Sequence, residues 1–429
     1  MKKTKLFFFT ALLMMLCKQL RAQPSSHSTS SVMQTSIFTQ AVDSLHDFTF
    51  QTYKHLTENP ELSWKEFNTT RFLATELDMA GIPYRITKRG VGLIIEIKGR
   101  EPGSQTVIIR GDIDNLPIVE KPGKLIPSQV QGVSAACGHS AHAAMTLTAI
   151  KILWEHRSEF RGTLLALLQP AEELINDPGC LYLIEHEGLL DYPNIIGAFA
   201  LHCTPEYLPG DVHLKAGEFM ASANEMRIRF LGKPRHVQYT GANTIIAASA
   251  FINDLQTIKA QHVQALDPLL LAPSKIKSSN SEMKGSNILP DSTEVTVVFR
   301  VFKPAVNEKT REMLVKIADK TAEIHGCKVE YTLYDGIPPV KNDPALTHWA
   351  EEKLSNLLGR EHVKPADYRL GGDDICFLSQ RVPLVYIRLG SGGAEAYQFP
   401  LHDAAFQVNP ACLDTGVRVL VSLAFQKLQ

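Results

Sequence analysis

The amino-acid sequence predicts an α/β protein in which a larger domain with a largely parallel sheet is interrupted by a smaller α+β domain. Short apolar runs bounded by turn residues alternate with helical patterns, which is typical of parallel strands joined by helices. Between about 218 and 330 the order of elements changes, which indicates a separate unit. The length of 429 residues suits about two domains.

The first 22 residues predict a secretory signal peptide. Three lysines precede a twelve-residue apolar run, 6–17, which is shorter than the roughly 20 residues of a membrane-spanning helix. A polar stretch ending at Ala22 offers a cleavage site, and a retained anchor is the alternative. We therefore expect residues 1–22 to be removed, residues 23–36 to form a disordered Ser-rich leader, and the mature protein to be exported, either periplasmic or secreted.

The larger domain is predicted from 37–217 and 331–429. Its helices are expected at 37–58, 66–81, 140–157 and 179–189, and its strands at 92–98, 106–110, 163–168, 194–201 and 384–389.

The inserted domain is predicted at 218–330 from the order β-α-β-β-α-β, which is that of a ferredoxin-like unit. The expected elements are strand 224–231, helix 244–261, strand 275–283, strand 293–302, helix 307–325 and strand 328–334.

Composition excludes several classes of protein. Hydrophobic residues make up 44% and charged residues 21% of the chain, as in ordinary globular proteins. The formal net charge is −1, so the chain lacks the bulk positive charge that nucleic-acid binding uses. Its 7 cysteines are too dilute for a disulfide scaffold, and their pairing cannot be deduced from spacing.

Polar residues gather where the predicted strands end. In an open α/β sheet the ligand crevice lies outside the carboxyl ends of the strands, so residues distant in sequence meet there. Asp114, Glu172, Glu173 and His202 follow strand ends. Cys137 and His139 lie on the loop that opens the helix 140–157, and His402 follows the last strand.

Thiolate, imidazole and carboxylate are the groups that zinc binds, and a carboxylate beside the ligands can act as a general base. Each feature alone has an ordinary explanation: a solvated Glu-Glu loop, a structural histidine or an inert cysteine. Together, at one edge of one sheet, they predict a metal site.

The chain resembles a known family, the co-catalytic metallopeptidases and amidohydrolases of the hippurate hydrolase, N-acyl-amino-acid hydrolase and auxin-conjugate hydrolase group. Nine motifs carry the resemblance from about residue 55 to the C-terminus. They are NPELSWKE (59–66), RGDIDNLP (110–117), CGHSAH (137–142), QPAEE (169–173), ALHC (200–203), GKPRH (232–236), SNILPD (286–291), GGDD (371–374) and PLH (400–402).

The resemblance implies a binuclear centre with two divalent ions per subunit. The implied ligands are Cys137, His139, Glu173, His202 and His402. Zinc is the ion that the thiolate favours, and manganese, cobalt and nickel are alternatives. Glu172 is implied as the general base toward a metal-activated water, and Asp114 as a carboxylate that orients the ligands.

The resemblance also implies that the inserted domain is a lid that forms a homodimer. His236 would reach a neighbouring subunit's site and stabilise the developing oxyanion. Asn287 and Arg300 would bind the carboxylate of the substrate. A surface charge on a strand is the alternative for Arg300.

The sequence departs from the family pattern at three places. Ser140 stands where Asp is usual, Ala135 where His is usual, and 372–375 reads Gly-Asp-Asp-Ile where Ser-Glu-Asp-Phe is usual. None of these changes removes an implied ligand, but they remove charge near the site. His142 is interpreted as a structural histidine.

The resulting prediction is a metal-dependent amidohydrolase that cleaves N-acyl amino acids. A dipeptidase or aminoacylase of the same mechanism is the first alternative, and an exported binding protein without turnover is the second. The expected partners are a small N-acyl amino acid or short peptide and a second copy of the chain, with neither nucleic acid nor membrane.

Overall fold

The computed structural model describes residues 38–280, 287–334 and 336–429. The predicted signal peptide and leader, 1–22 and 23–36, lie outside these residues. Within them no helix combines the length and the apolar composition of a membrane span.

Ten α-helices lie in the described residues, and residues 38–44 form a further helical segment before the first. The helices are α1 (His46–Glu58), α2 (Phe67–Met79), α3 (His139–Glu155), α4 (Gly179–His186), α5 (Thr244–Asp254), α6 (Thr257–His262), α7 (Pro304–His325), α8 (Pro344–Leu358), α9 (Cys376–Ser379) and α10 (Leu413–Lys427).

The same part of the chain contains sixteen strands. They are β1 (Arg85–Ile86), β2 (Leu93–Lys98), β3 (Thr106–Asp112), β4 (Thr163–Gln169), β5 (Ile195–Thr204), β6 (Val212–Leu214), β7 (Gly217–Met220), β8 (Asn224–Leu231), β9 (Arg235–His236), β10 (Leu269–Ser278), β11 (Ile288–Leu289), β12 (Ser292–Val301), β13 (Lys328–Tyr334), β14 (Val340–Asn342), β15 (Val363–Pro365) and β16 (Leu384–Gly390).

The predicted α/β class is confirmed. An eight-stranded sheet has the order β1-β2-β4-β3-β5-β16-β6-β15. Its centre is parallel, through the pairs β4·β3, β3·β5 and β5·β16, and β2 joins antiparallel at one side. The three central strands β3, β4 and β16 are buried along their whole length, which explains why each reads as a continuous apolar run.

Helices cover both faces of this sheet. Leu73 of α2, Leu147 of α3 and Leu420 of α10 belong to a core on one face. Leu183 of α4 and Leu378 of α9 belong to a smaller core on the other face. Alternate residues of each central strand supply both cores, because successive side chains of a strand point to opposite faces.

A second sheet of four strands, in the order β10-β12-β8-β13, carries α5, α6 and α7 on one side. Its elements follow the predicted order, with three differences in bounds. Strand β10 occupies 269–278 rather than 275–283, because it pairs with β12 from Leu269 to Ser278. The helix predicted at 244–261 is divided into α5 and α6, and the helix predicted at 307–325 begins at Pro304.

The predicted inserted segment, 218–330, can be compared with the bounds of the second sheet. Strand β13 pairs with β8 as far as Tyr334, so the second sheet extends beyond residue 330. Strand β7, which includes Gly217, pairs with β14, which follows the second sheet in the chain. The second sheet therefore occupies 224–334.

Candidate metal centre

Four of the five predicted ligands line one cavity of about 260 Å³ at the carboxyl ends of the central strands, and the fifth, His139, lies next to them. The loops after β3 and β4 bring Asp114 and the pair Glu172 and Glu173 to this edge, and the end of β5 brings His202. The cavity is lined by Cys137, Glu172, Glu173, His202, Thr204, Met220, Arg369, Gly371, Gly372, Asp373, Tyr386, Arg388, Leu401 and His402.

The start of α3 positions two of the candidate ligands. Gly138 precedes the helix with a φ of 106°, a left-handed conformation that side chains rarely adopt. This turn places Cys137 on one side of the helix start and His139 in its first turn. A Cβ on Gly138 would meet the Cβ of Cys203 at 3.0 Å, so the approach requires glycine.

His139 directs one ring nitrogen, Nε2, toward the carboxylates of Glu172 and Glu173. Its Nδ1 lies 2.9 Å from the carbonyl oxygen of Asp114 and 3.2 Å from the Oδ1 of the same residue. Both partners are acceptors, so Nδ1 donates to Asp114, and Nε2 is the nitrogen that a cation could bind in place of a proton. Asp114 thereby orients the ring, and its Oδ2 accepts bonds from Ser63 at 2.6 Å and from the amide of Glu173 at 3.0 Å.

His202 is held in the same way. Its Nδ1 donates to the carbonyl of Cys203 at 2.7 Å, and its Nε2 lies 3.5 Å from the Sγ of Cys137. A lone pair of His202 and the thiol sulfur are therefore adjacent.

Glu173 and His402 complete the set from the opposite side. The Nε2 of His402 lies 3.4 Å from the Oε1 of Glu173, which is 3.8 Å from the Nε2 of His139. The amide of His402 donates to the carbonyl of Ala136 at 2.7 Å, so the last loop is attached beside Cys137.

Two buried atoms in this cluster have no hydrogen-bond partner among the described residues, Nε2 of His139 and Oε1 of Glu173. Two groups of three donors lie side by side and share Cys137: one with His139 and His202, the other with Glu173 and His402. Orphaned lone pairs of imidazole and carboxylate beside a thiol are what a divalent cation satisfies, so these residues fit two such ions.

The carboxylates of the cluster favour a protonated thiol on Cys137 and a protonated ring on His139. Burial and the carboxylates of Glu173 and Glu172 raise the pKa of the Cys137 thiol well above its usual value. Burial lowers the pKa of His139, but Asp112 and Asp114 offset it and raise it to about 10. A thiolate beside a neutral His139 therefore needs added positive charge.

Glu172 adjoins the donors. Its Oε2 lies 3.6 Å from the Nε2 of His139. Burial, together with the carboxylates of Asp373, Glu173 and Asp374, raises its pKa well above the usual value, so proton uptake by this carboxylate is favoured.

A buried arginine supports the floor of the site. The guanidinium of Arg110 contacts Asp112 at 2.5 Å, Asp374 at 2.9 Å and Asp373 at 3.3 Å. Its Nε donates to Gln169 at 2.9 Å. These contacts satisfy the aspartates, so we do not count Asp373 and Asp374 as free ligand donors.

His142 is structural, as interpreted from the sequence. Its Nδ1 donates to Asp112 at 2.7 Å and its Nε2 accepts the amide of Cys203 at 2.8 Å. Both nitrogens are therefore engaged, and no lone pair remains for a metal.

Three other predicted site residues lie outside the cavity of this single chain. His236 on β9 is exposed, and its Nε2 lies 3.2 Å from the Nδ2 of Asn287. Arg300 is half-buried on β12, opposite Leu270 of β10. The fold thus brings His236 and Asn287 together but does not bring these three residues to the donors.

Sequence reasoning missed several side chains that line or support the site. Tyr386 donates to Asp373, and Arg388 and Arg369 line the cavity. One signal was present for the support beneath the site: Arg110 is a charge inside an otherwise apolar strand, and such a residue is buried only with partners. The six cysteines in the described part of the chain are free thiols.

Comparisons with known proteins agree with this geometry. The model of peptidase family M20/M25/M40 matches residues 108–426, which is most of the chain. The chain is 29% identical to an N-acetylcysteine deacetylase of Bacillus subtilis, over 86% of this chain and 94% of that protein. It is 29% identical to an IAA-amino acid hydrolase of Arabidopsis thaliana, over 89% of this chain and 86% of that protein.

A solved structure of a related protein shares the fold. The crystal structure of a dinuclear metal-binding peptidase of the M20 family from Bacillus subtilis superposes with a TM-score of 0.78 at 27% identity, covering 90% of this chain and 99% of that one. A related protein of this fold therefore binds two metal ions.

Proposed function

We propose that this chain, which belongs to peptidase family M20/M25/M40, is an exported amidohydrolase that releases an amino acid from its N-acyl conjugate. The family makes it a metal-dependent amidohydrolase or peptidase, and the relatives named N-acetylcysteine deacetylase and IAA-amino acid hydrolase support acyl amino acids as the substrate class. The observation that carries the proposal is the ring of five donors around Glu172, with two orphaned buried atoms.

Cys137, His139, Glu173, His202 and His402 hold two divalent ions in this proposal. The ions supply Lewis acidity, which lowers the pKa of a water molecule and polarises the amide carbonyl. Zinc is favoured by the thiolate and the imidazoles, whereas manganese, cobalt and nickel are the alternatives.

The protein's own residues divide the remaining work. Glu172 takes a proton from the attacking water at a carboxylate oxygen and returns it to the nitrogen of the departing amino acid. Asp114 keeps the proton of His139 on Nδ1 and fixes the backbone of Glu173. Both actions hold the donors in place during the reaction.

His236 acts in this proposal on the site of a second subunit, where it donates a hydrogen bond to the oxygen on which charge develops. Its exposure supports that role, and so does the fact that it does not line the cavity of its own chain. Asn287 and Arg300 belong to the same lid and would bind the α-carboxylate of the substrate.

The test is hydrolysis of N-acyl amino acids by the purified chain beginning at Gln23. We expect about two divalent ions per subunit, release of free amino acid, and loss of activity with a chelator. A preference for unblocked dipeptides would instead identify a dipeptidase.

A matched pair of variants tests the base. Glu172→Gln should lower kcat by at least about 100-fold with the metal content unchanged, because the amide cannot accept a proton. Glu185→Gln, an exposed change on α4, should leave both unchanged. If the unaltered protein binds metal and acyl amino acids but releases nothing, it is a binding protein.

A further inference from the structure

The cavity of the metal centre contains a buried arginine without a carboxylate partner. Arg388 lies on β16, is 3% exposed and lines the cavity together with the candidate ligands. A buried charge is costly unless it is paired, so the environment of Arg388 requires an explanation.

The sheet register places Arg388 beside the metal centre. Strands β16 and β5 are parallel, and Arg388 lies directly opposite His202. Residues directly opposite each other point to the same face, and adjacent strands are about 4.8 Å apart. Arg388 is therefore the next side chain across the sheet from a candidate ligand.

The contacts of Arg388 within the described residues carry no negative charge. Its Nη1 donates to the carbonyl of Asp367 at 2.7 Å, and its Nη2 lies 3.5 Å from the carbonyl of Phe219. The ring of Phe219 is 4.6 Å from its Cζ, and the phenol of Tyr207 is also close. A guanidinium has five donors, so these contacts hold the group in place without neutralising it.

The other arginines of the region are neutralised. Arg369, which lines the same cavity, forms two bonds of 2.7 Å to the carboxylate of Glu206. Arg110 contacts three aspartates. Burial and the nearby Arg369 guanidinium lower the pKa of Arg388, and the carboxylate of Glu206, which also interacts electrostatically with Arg388, is bonded to Arg369 instead.

We infer that Arg388 binds a carboxylate of the substrate, and that the preferred substrates are acyl amino acids with a second carboxylate besides the α-carboxylate. The planar fork of a guanidinium suits this group, and desolvation in the cavity strengthens the pair. The inference rests on the proposed function and adds the substrate class. The second carboxylate comes either from a dicarboxylic acyl group or from an acidic amino-acid side chain.

Two pairs of substrates distinguish these sources. Within each pair, the two substrates differ only in that one has a carboxylate where the other has the corresponding amide. N-succinyl-alanine is compared with N-succinamoyl-alanine, and N-acetyl-glutamate with N-acetyl-glutamine. We expect the acid of one pair to have a kcat/KM at least about ten times that of its amide. Equal values within both pairs would overturn the inference.

Variants connect the preference to Arg388. Arg388→Gln should reduce the acid-to-amide ratio to about one with metal content unchanged, and Arg388→Lys should restore part of it. The control Arg161→Gln removes the same charge from the amino end of β4 and should keep the ratio. A ratio that survives in Arg388→Gln contradicts the inference. If that variant does not fold, the ratio of the unaltered protein still decides.

A binding measurement separates this inference from the proposed function. Calorimetric titration of the metal-loaded protein with glutarate, and with its monoamide as reference, requires no turnover. Tighter binding of glutarate that Arg388→Gln abolishes would support the carboxylate site even if no amide is hydrolysed. Equal binding of glutarate and its monoamide would overturn it, even if N-acyl amino acids are hydrolysed.

Discussion

His139 shows how one residue connects the fold to the chemistry. Two acceptors of Asp114 fix the proton on Nδ1, and Nε2 is left buried without a partner. An unmade hydrogen bond of this kind costs about 1–3 kcal/mol, and a bound cation removes that cost. The nitrogen that lacks a hydrogen-bond partner among the described residues is therefore the one that the proposed metal ion would satisfy.

Replacing His139 by Gln should reduce the metal content. It should also narrow the difference in melting temperature between the metal-loaded and the metal-free protein. The side chain loses the imidazole ligand, so chelation should change the melting temperature less than in the unaltered protein. Elemental analysis and melting curves with and without chelator measure both effects. His186→Gln, an exposed change in α4, is the control, and full metal occupancy in His139→Gln would contradict the assignment.

Arg110 is the second residue whose loss should have a large effect. Without the guanidinium, Asp112, Asp373 and Asp374 remain buried without their shared counter-ion. We expect Arg110→Met to destabilise the protein by about 3–5 kcal/mol. Urea unfolding measures this cost, and Arg161→Met on the surface should change stability by no more than about 0.5 kcal/mol. An equal effect of the two variants would show that the Arg110 network contributes little.

At the scale of elements, the turn before α3 determines where two candidate ligands, Cys137 and His139, lie. Gly138 has a φ of 106°, and a Cβ there would contact Cys203. Cys137 and His139 flank this glycine, so both must move if the turn opens. A change in the conformation of Gly138 should therefore affect metal binding as well as folding.

Gly138→Ala should therefore lower both the metal affinity and the stability. The left-handed conformation costs a side chain about 1–2 kcal/mol, and the contact with Cys203 adds to this cost. Gly326→Ala is a matched control, since Gly326 ends α7 with a φ of 65° and has open space around it. The control should lose stability but keep its metal content, as measured by unfolding and elemental analysis. Equal metal content in the two variants would contradict the role of the turn.

At the scale of the whole molecule, exposed apolar residues lie around His236. Ile288 pairs with His236 across β11 and β9, and Val237, Tyr239 and Ile246 are exposed nearby in the sequence. An interface at this surface would bring His236 to another subunit. The homodimer remains a prediction.

Ile246→Asp should convert the proposed dimer to a monomer, because a charge would be buried at the interface. Activity should fall at the same time, since each site would lose the partner's His236. Sedimentation velocity and hydrolysis rates measure both effects, and Met79→Asp on α2 serves as an exposed control. A monomeric unaltered protein with full activity would contradict the dimer.

The sequence by itself determined the α/β class and the order of the inserted elements, and it predicted the five candidate donors that the structure brings together. These features are local: apolar runs have the period of strands or helices, and polar residues follow strand ends. The bounds of β10 and of the second sheet depended on pairing with distant strands.

Only the tertiary structure decided which charged side chains are paired with an opposite charge and which are not. The three aspartates around Arg110 come from segments more than 200 residues apart, and no local pattern joins them. Arg388 reads in the sequence as one charge in a strand. Its position beside His202 and its lack of a carboxylate follow from the sheet order, because partners across a sheet are set by topology rather than by neighbouring residues.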